Sequence, residues 1–291
     1  MVRTGPHRIA ESIEEWEVLD RFSGPVAGRL SQLLAGRAKD VLSGSWLGHP
    51  VHPLLTDLPI GAWTATVFLD LTGGRQARAG ADTLAAAGIA TALPTALSGW
   101  SDWSDLGSPE RRVGVVHAAA NNLALVLWAG SVVARRRGRR PLGVALGLMG
   151  TAAVTAGGYL GGHLAYGKGA GVDRTAFEEL PEDWTPLADA ADLPEGEPVL
   201  AHAGDTAVVL VRHGGTVHAL VDRCSHLGGP LHQGSVDGDT VTCPWHGSVF
   251  CLDDGAVVHG PASAPQPSLD VRTTADKIEV RRRRAAPVAL G

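Results

Sequence analysis

Four apolar segments occupy most of residues 54–164 and constrain the fold more than any other feature of the chain. They cover residues 54–71, 83–100, 113–134 and 141–164, and only the first contains charged side chains, Asp57 and Asp70. A helix needs about 20 apolar residues to cross a bilayer, a length that the last two segments exceed and the first two approach. A soluble, fully buried helical bundle is the alternative, but four such segments would leave it almost no polar face. The pattern therefore predicts a four-helix transmembrane bundle.

The composition agrees with a membrane-embedded part whose helices pack closely. Hydrophobic residues make up 44% of the chain and charged residues 19%, and there are 38 glycines. In the fourth segment, Gly157 with Gly161 and Gly158 with Gly162 form pairs of small residues four apart, which let helix backbones approach one another. The net charge of −5 gives no indication of nucleic-acid binding, and three cysteines do not form a disulfide framework.

Arginines are concentrated in the loops after the first and third segments. These loops and their edges carry Arg75, Arg78, Arg135, Arg136, Arg137, Arg139 and Arg140. The positive-inside rule places them in the cytoplasm, so that with four spans both chain ends lie outside it. Arg139-Arg140 resembles the start of an internal twin-arginine export signal, which would let a folded C-terminal domain cross the membrane. Ordinary anchoring by a basic cluster is the alternative.

Four histidines fall at one predicted membrane face. His49 and His52 precede the first segment, His117 lies near the start of the third, and His163 lies at the end of the fourth. Ionisable groups at membrane depth are costly and usually functional, and neutral imidazole binds haem iron and other metals. We expect these residues to form a site for a b-type haem, a quinone or a metal ion. Interfacial histidines that only bond loop carbonyls are the alternative.

Residues 45–170 resemble a family of uncharacterised four-helix membrane domains. The resemblance rests on the Gly-His-Pro-x-His-Pro-x-x-x-Asp-x-Pro start at residues 48–59, on Gly99-Trp100-x-Asp102, on His117 and on the Gly-Gly-x-Leu-Gly-Gly-His end. It implies a fold but no activity, because the function of that family is itself unsettled.

Residues 185–283 are predicted to form an all-β domain that carries a metal centre. Short β-branched segments at residues 199–203, 207–212 and 217–221 predict strands, with His213-Gly214-Gly215 as a hairpin turn. Between strands lie Cys224-Ser225-His226 and Cys243-Pro244-Trp245-His246, separated by 16 residues. Two thiolates with two imidazoles suit a [2Fe–2S] centre in which one iron has cysteine ligands and the other histidine ligands. A Cys2His2 zinc site is the alternative, but such sites usually pair like residues at close spacing.

The sequences Cys-Ser-His-Leu-Gly-Gly-Pro-Leu and Cys-Pro-Trp-His-Gly-Ser are similar to the two cluster loops of Rieske proteins. The resemblance covers about residues 185–283. It implies that Cys224 and Cys243 bind one iron, and that His226 and His246 bind the other with a ring nitrogen near solvent.

Departures from the Rieske pattern concern groups that tune the cluster. In high-potential members a disulfide joins the two loops, and its positions here are Gly229 and Trp245. Ser248 is retained, and its hydroxyl is expected to bond a bridging sulfide. Phe250 replaces a tyrosine that bonds a cysteine sulfur. Because hydrogen bonds to sulfur raise the reduction potential, we expect a value below the top of the Rieske range.

The combined interpretation is an α + β chain of two domains that transfers electrons at a membrane. The predicted parts are a partly helical segment (1–44), the transmembrane domain (45–166), a linker (167–184), the Rieske-type domain (185–283) and a tail (284–291). Expected partners are a redox protein or the quinone pool, and membrane lipid. A membrane-anchored ferredoxin-like component that serves a separate oxygenase or reductase is the second hypothesis. A terminal oxygenase is disfavoured because no large mononuclear-iron domain follows the cluster motifs.

Overall fold

The computed structural model describes residues 5–283 as two compact units. The helical unit comprises the chain up to Ala38 together with Pro50–Ala170, and the β-unit comprises Lys39–His49 and the chain from Gly171 onward. The predicted tail at residues 284–291 lies outside the described residues. The expected division into a helical N-terminal region and an all-β C-terminal domain is confirmed.

Seven α-helices form in the described part of the chain. They are α1 (Gly5–Glu14), α2 (Asp20–Leu33), α3 (Arg37–Ser43), α4 (Val51–Thr72), α5 (Arg78–Trp103), α6 (Ser108–Arg136) and α7 (Arg140–Gly162), and a π-helical turn, His163–Gly167, extends α7. Each predicted apolar segment lies on one of the last four helices. The prediction that His52 precedes the first of them is wrong. The helix starts at Val51 because Pro53 falls in its first turn, where no N–H is needed.

Within residues 5–283, three helices are long and apolar enough to cross a membrane. They are Val51–Thr72, Ser108–Arg136 and Arg140–Gly167. The remaining predicted span, α5, forms a helix of 26 residues but is not among these three, since it is rich in alanine, glycine, serine and threonine. The count of four spans therefore stays a prediction.

Two tryptophans fill the middle of the helical unit against glycines. Trp63 and Trp128 stack with their ring centroids 5.5 Å apart and their planes 4° apart. A Cβ on Gly88 would lie 2.3 Å from Trp63 Nε1, and a Cβ on Gly150 would lie 2.7 Å from Trp128 Cδ1. Small residues on α5 and α7 thus make room for the large rings of α4 and α6, which explains the glycine-rich pattern.

A buried ion-pair network closes one end of the helical unit. Asp70 accepts hydrogen bonds from Arg135 and from Arg140 Nη2 at 2.7 Å, and Asp82 Oδ1 accepts from Nη1 of both arginines at 3.0 Å. The side chains of Arg135 and Asp70 are only 1% and 3% exposed. This pairing explains how the apolar helix α4 tolerates an acidic residue, because a buried charge must be paired.

Ten antiparallel strands form three small sheets in the β-unit. The strands are β1 (Thr185–Asp189), β2 (Pro198–Ala203), β3 (Thr206–His213), β4 (Thr216–Val221), β5 (Ser235–Asp237), β6 (Thr240–Thr242), β7 (Val249–Cys251), β8 (Val257–His259), β9 (Leu269–Thr274) and β10 (Lys277–Arg282). Their orders are β1-β10-β9, β2-β3-β4 and β5-β6-β7-β8. Gly214 and Gly215 form a two-residue turn between β3 and β4, and both have the positive φ that such a turn requires, 57° and 79°.

Two hydrophobic clusters stabilise the β-unit. One lies between the first two sheets and includes Leu210, Ile278 and Val280. The other includes Leu231 and Phe250 together with both motif cysteines, so it forms the floor beneath the cluster loops.

Segments outside the predicted β-domain also bond to it within the β-unit. Asp40 Oδ1 accepts from the Gly260 N–H at 2.8 Å, and Asp40 Oδ2 lies 3.1 Å from His259 Nδ1. Part of the predicted linker is bonded too: Arg174 N–H donates to Ser225 O (3.0 Å), Thr206 Oγ1 donates to Glu179 O (2.7 Å) and Arg282 N–H donates to Pro181 O (2.6 Å).

Candidate iron–sulfur centre

Two loops, each closed by its own backbone hydrogen bonds, present the candidate ligands. In the first, Cys224 N–H donates to Gly229 O at 2.8 Å and Gly228 N–H donates to Cys224 O at 2.9 Å. In the second, Cys243 N–H donates to Ser248 O at 2.8 Å. Gly228 has φ +82°, and Gly247 in the second loop has φ +76°, values that favour glycine. The glycines that follow each Cys–His motif are therefore part of the loop geometry.

The two cysteine side chains lie together at the base of the loops. Cys224 is 1% exposed and Cys243 is 3% exposed. A hydrogen bond between the two thiols raises the pKa of Cys224 and lowers the pKa of Cys243 to about 6. Backbone N–H groups of His226 and Leu227 also point at the Cys224 sulfur. Thiolate is the form that binds metals, and N–H donors stabilise it.

The two motif histidines also lie together. The ring centroids of His226 and His246 are 5.2 Å apart, and the planes are almost perpendicular at 89°. Burial lowers the pKa of His226 to about 3, and the neighbouring His246 contributes in the same direction. The imidazole of His226 is therefore neutral at physiological pH, which is the state that ligates a metal.

The donors are arranged as a pair of thiols and a pair of imidazoles. Among residues 5–283, no three side chains of His, Cys, Asp or Glu converge in the manner of a single-ion site. The like-with-like pairing fits a centre with two irons, of which one takes two thiolates and the other two imidazoles.

Gln266 holds the first loop in place, a role that no sequence pattern indicates. Its side chain is 1% exposed, and Nε2 donates to Val221 O at 2.6 Å and to Arg223 O at 2.8 Å. Its Oε1 accepts from Ser225 N–H, between the two ligands of that loop, at 2.9 Å. One buried amide thus fixes three backbone groups of the loop. No local signal in the sequence marks a glutamine 41 residues away for this role.

Asp222 braces the other end of the same loop. Its carboxylate accepts from His232 N–H at 2.7 Å and lies 2.8 Å from His232 Nδ1, while its backbone C=O accepts from Leu231 N–H at 2.9 Å. These bonds tie the strand end before Cys224 to the residues that follow the loop.

Gly229 and Trp245, the positions of the absent disulfide, face each other. A Cβ on Gly229 would lie 3.0 Å from Trp245 Cγ and only 2.8 Å from Cys243 Sγ. The Trp245 side chain, which is half exposed, therefore occupies the space beside Gly229, and only glycine fits there.

The other two expected tuning residues lie behind the second loop. Ser248 is fully buried, and its Oγ accepts from Ala262 N–H at 3.0 Å. Since the N–H uses an oxygen lone pair, the hydroxyl proton stays free to donate to another acceptor. Phe250 is fully buried in the hydrophobic cluster beneath the loops.

Among the four membrane histidines, His52 and His117 lie near enough to each other to interact electrostatically. Nδ1 of His52 lies 3.0 Å from Thr95 O, and Nδ1 of His117 lies 2.8 Å from Gly157 O. Because a carbonyl can only accept, both Nδ1 atoms carry the proton and both Nε2 atoms carry a lone pair. Nε2 of His117 lies 3.2 Å from the Asn121 amide nitrogen.

His163 and His49 have different surroundings. His163 Nε2 lies 2.9 Å from Glu14 Oε1, and the same carboxylate accepts from Lys168 Nζ at 2.7 Å. His49 is exposed and belongs to the segment that is part of the β-unit.

Comparison with known proteins matches both halves of the chain. Residues 183–273 match the Rieske [2Fe-2S] domain, and residues 48–174 match a family described as "Predicted membrane protein (DUF2231)". The chain is 40% identical over 76 residues to the ferredoxin subunit of 3-phenylpropionate/cinnamic acid dioxygenase from Escherichia coli strain K12, which covers 26% of this chain and 71% of that protein. The chain belongs to the Rieske family.

Other relatives match the chain over about 90 residues. The iron-sulfur subunit of the cytochrome b6-f complex of Chlorobaculum tepidum is 33% identical over 91 residues, which cover 31% of this chain and 49% of that subunit. The matched part spans only 15% of human apoptosis-inducing factor 3, at 33% identity. Among solved structures, the ferredoxin of carbazole 1,9a-dioxygenase from Nocardioides aromaticivorans IC177 aligns over 35% of this chain and 100% of its own, with 26% identity and a TM-score of 0.34.

Proposed function

We propose that this protein is a membrane-bound electron carrier whose [2Fe–2S] cluster is held by Cys224, His226, Cys243 and His246. The observation that carries the proposal is the arrangement of these side chains as a thiol pair and an imidazole pair over one hydrophobic floor. The Rieske domain would occupy residues 185–283, and the transmembrane domain residues 45–166.

The residues around the cluster hold and tune it. When bound, the cluster supplies one-electron transfer. The N–H groups of His226 and Leu227 stabilise the Cys224 thiolate, and those of Trp245 and His246 stabilise Cys243. The Ser248 hydroxyl would donate a hydrogen bond to a cluster sulfur, and Phe250 would supply no such bond. Together they favour a reduction potential below that of family members with both hydroxyls.

His52 and His117 would form the second electron-transfer site, in the helical unit. Metal-binding histidines typically donate their other ring N–H to a carbonyl or carboxylate, which is the arrangement of both rings here. Two Nε2 lone pairs could bind a b-type haem iron, or could accept hydrogen bonds from a quinol. A ligand at His117 would replace its contact with Asn121.

The second candidate is a membrane-anchored ferredoxin-like component that serves a separate oxygenase or reductase. Gly229 and Trp245 at the disulfide positions favour it, as does the similarity to a dioxygenase ferredoxin subunit. In that case the helical unit would be an anchor, and His52 and His117 would only join helices.

The topology is a separate part of the proposal. Positive-inside orientation puts the β-unit outside the cytoplasm, with Arg139-Arg140 as the export signal. Arg140 also has a structural role, because it bonds Asp70 and Asp82. An alkaline phosphatase reporter fused after Lys168 should be active. An inactive reporter would contradict the outward orientation.

Cysteine variants of the full chain, purified in detergent, test the ligand assignment. Cys243→Ser should abolish the electron paramagnetic resonance signal of the reduced cluster and lower the bound iron. The control is Cys251→Ser, which changes the half-buried cysteine of β7 and should preserve both. The assignment would be refuted if both variants lost the signal and the iron to the same extent, or if neither variant lost them.

A reduced-minus-oxidised optical spectrum of the same samples separates the two candidates. A sharp Soret shift with α and β bands that disappears in His117→Ala establishes a haem. Reduction of the cluster by an added quinol, lost in the same variant, establishes a quinone site. If the wild type shows only broad bleaching and no quinol reduces it, the electron-transfer site at His52 and His117 is wrong and the anchored component is favoured.

A further inference from the structure

A cavity of about 530 Å³ opens at the arginine-rich end of the helical unit. It lies where α4 ends and where α5 and α7 begin. Its lining includes Arg75, Arg78 and Arg140, the acidic Asp70, and the apolar Pro141 and Val144. Neither the expected cluster nor the histidine pair uses this cavity.

The charge of the cavity is positive because its acidic residue is already neutralised. Asp70 is paired with Arg135 and Arg140, and Asp82 bonds the same two arginines. The four charges of this network cancel. Arg75 and Arg78, which are both exposed at the cavity, therefore set its sign. Guanidinium groups are well suited to a phosphate because they bind it through parallel N–H bonds.

The backbone adds positive potential at the same place. α5 begins at Arg78 and α7 begins at Arg140, and neither helix start has a side-chain N-cap. Arg78 N–H already donates to Arg75 O at 3.4 Å and Pro141 has no N–H, so the two helix starts contribute through their dipoles, which place positive potential at each N-terminus. The positive potential at these helix ends adds to the positive charge that the arginine side chains already give the cavity.

The apolar part of the lining indicates what kind of phosphate compound the cavity would bind. Pro141 and Val144 form the first turns of α7, which continues as a helix apolar enough to cross a membrane. α4, which ends at Thr72 beside the cavity, is a second such helix. The arginines thus lie where an apolar helical surface ends, at the depth of a lipid headgroup.

We propose that this cavity binds the phosphate of an anionic phospholipid headgroup, with Arg75, Arg78 and Arg140 as its cationic contacts. Pro141 and Val144 contact the adjoining glycerol and acyl region. The site is independent of the electron-transfer function, so it can exist whether or not the cluster assignment holds.

The test uses the full chain in a neutral detergent micelle, which removes the surface potential of a bilayer. Binding of short-chain phosphatidylglycerol, phosphatidylcholine and inorganic phosphate is measured by calorimetry. The variant is the double substitution Arg75→Gln with Arg78→Gln. The matched control is Arg136→Gln with Arg137→Gln, two exposed arginines of the same end that do not line the cavity. Thermal unfolding verifies that both doubles remain folded.

Phosphatidylglycerol should bind to the wild type. The double substitution in the cavity should weaken its binding about thirtyfold, because each arginine contributes roughly 1 kcal/mol. The control double should stay within about threefold, and phosphatidylcholine should bind far more weakly. Equal weakening by both doubles would show general charge attraction and overturn the site. Inorganic phosphate binding as tightly as phosphatidylglycerol would overturn the lipid assignment, and absence of phosphatidylglycerol binding would overturn the proposal as a whole.

Discussion

Replacing Gln266 by leucine should destabilise the β-unit strongly, although the two side chains have similar volumes. The substitution removes three hydrogen bonds; it leaves Val221 O and Ser225 N–H buried without their partner, and Arg223 O part-buried without it. Each buried polar group left unpaired costs about 1–3 kcal/mol, so the two buried groups should lower the free energy of unfolding by about 2–6 kcal/mol.

Hydrogen exchange of the full chain, read on peptides that cover β4 and the first cluster loop, measures this loss. A change of about 2–6 kcal/mol should accelerate the slowest amides by roughly one and a half to four orders of magnitude. Gln233→Leu is the matched control. Gln233 is exposed on the same unit, and its substitution should change exchange by no more than about threefold. Exchange in Gln266→Leu within threefold of the wild type would refute the bracing role.

Three further substitutions test other contacts. Gly229→Ala should lower the bound iron per chain, because its Cβ would lie 2.8 Å from a ligand sulfur. Gly150→Ala should lower the melting temperature of the helical unit, because its Cβ would lie 2.7 Å from Trp128, whereas Gly158→Ala meets no atom within 4 Å and should not. Burial alone would raise the pKa of Glu14, but the bond from Lys168 helps to lower it. The wild type should therefore melt at a higher temperature than Glu14→Gln above about pH 4.5. This difference should disappear as the pH falls through the lowered pKa of Glu14 in the folded state. A difference that does not change with pH would contradict this reasoning.

The parts of the site that depend on short sequence spacing could be predicted. Cys224-x-His226 and Cys243-x-x-His246 each lie within one loop, so their spacing alone indicated two thiols and two imidazoles. The apolar segments likewise predicted α4 to α7, because burial and membrane depth act on every residue of a span. The helices extend beyond the segments, since polar residues can continue a helix outside the apolar region.

Contacts between distant parts of the chain could not be predicted. Gln266 looks like any polar residue, and its role appears only when the chain returns it to the first loop. The contacts of His52 with α5 and of His117 with α7 depend on how the helices pack, which no local pattern specifies. Asp70 stands out in the sequence as an acid within an apolar segment, but its partner Arg135 lies 65 residues away.

The short segment Lys39–His49 makes the β-unit a discontinuous domain, interrupted in the sequence by most of the helical unit. A soluble fragment cut at the family boundary, residue 183, would lack Asp40 and leave Gly260 N–H and His259 without that carboxylate. Joining residues 39–49 through a short linker to a fragment that starts at Gly171 would restore the full set of contacts. Domain boundaries taken from sequence families therefore divide a folding unit here, and a fragment designed from the contacts should be the more stable of the two.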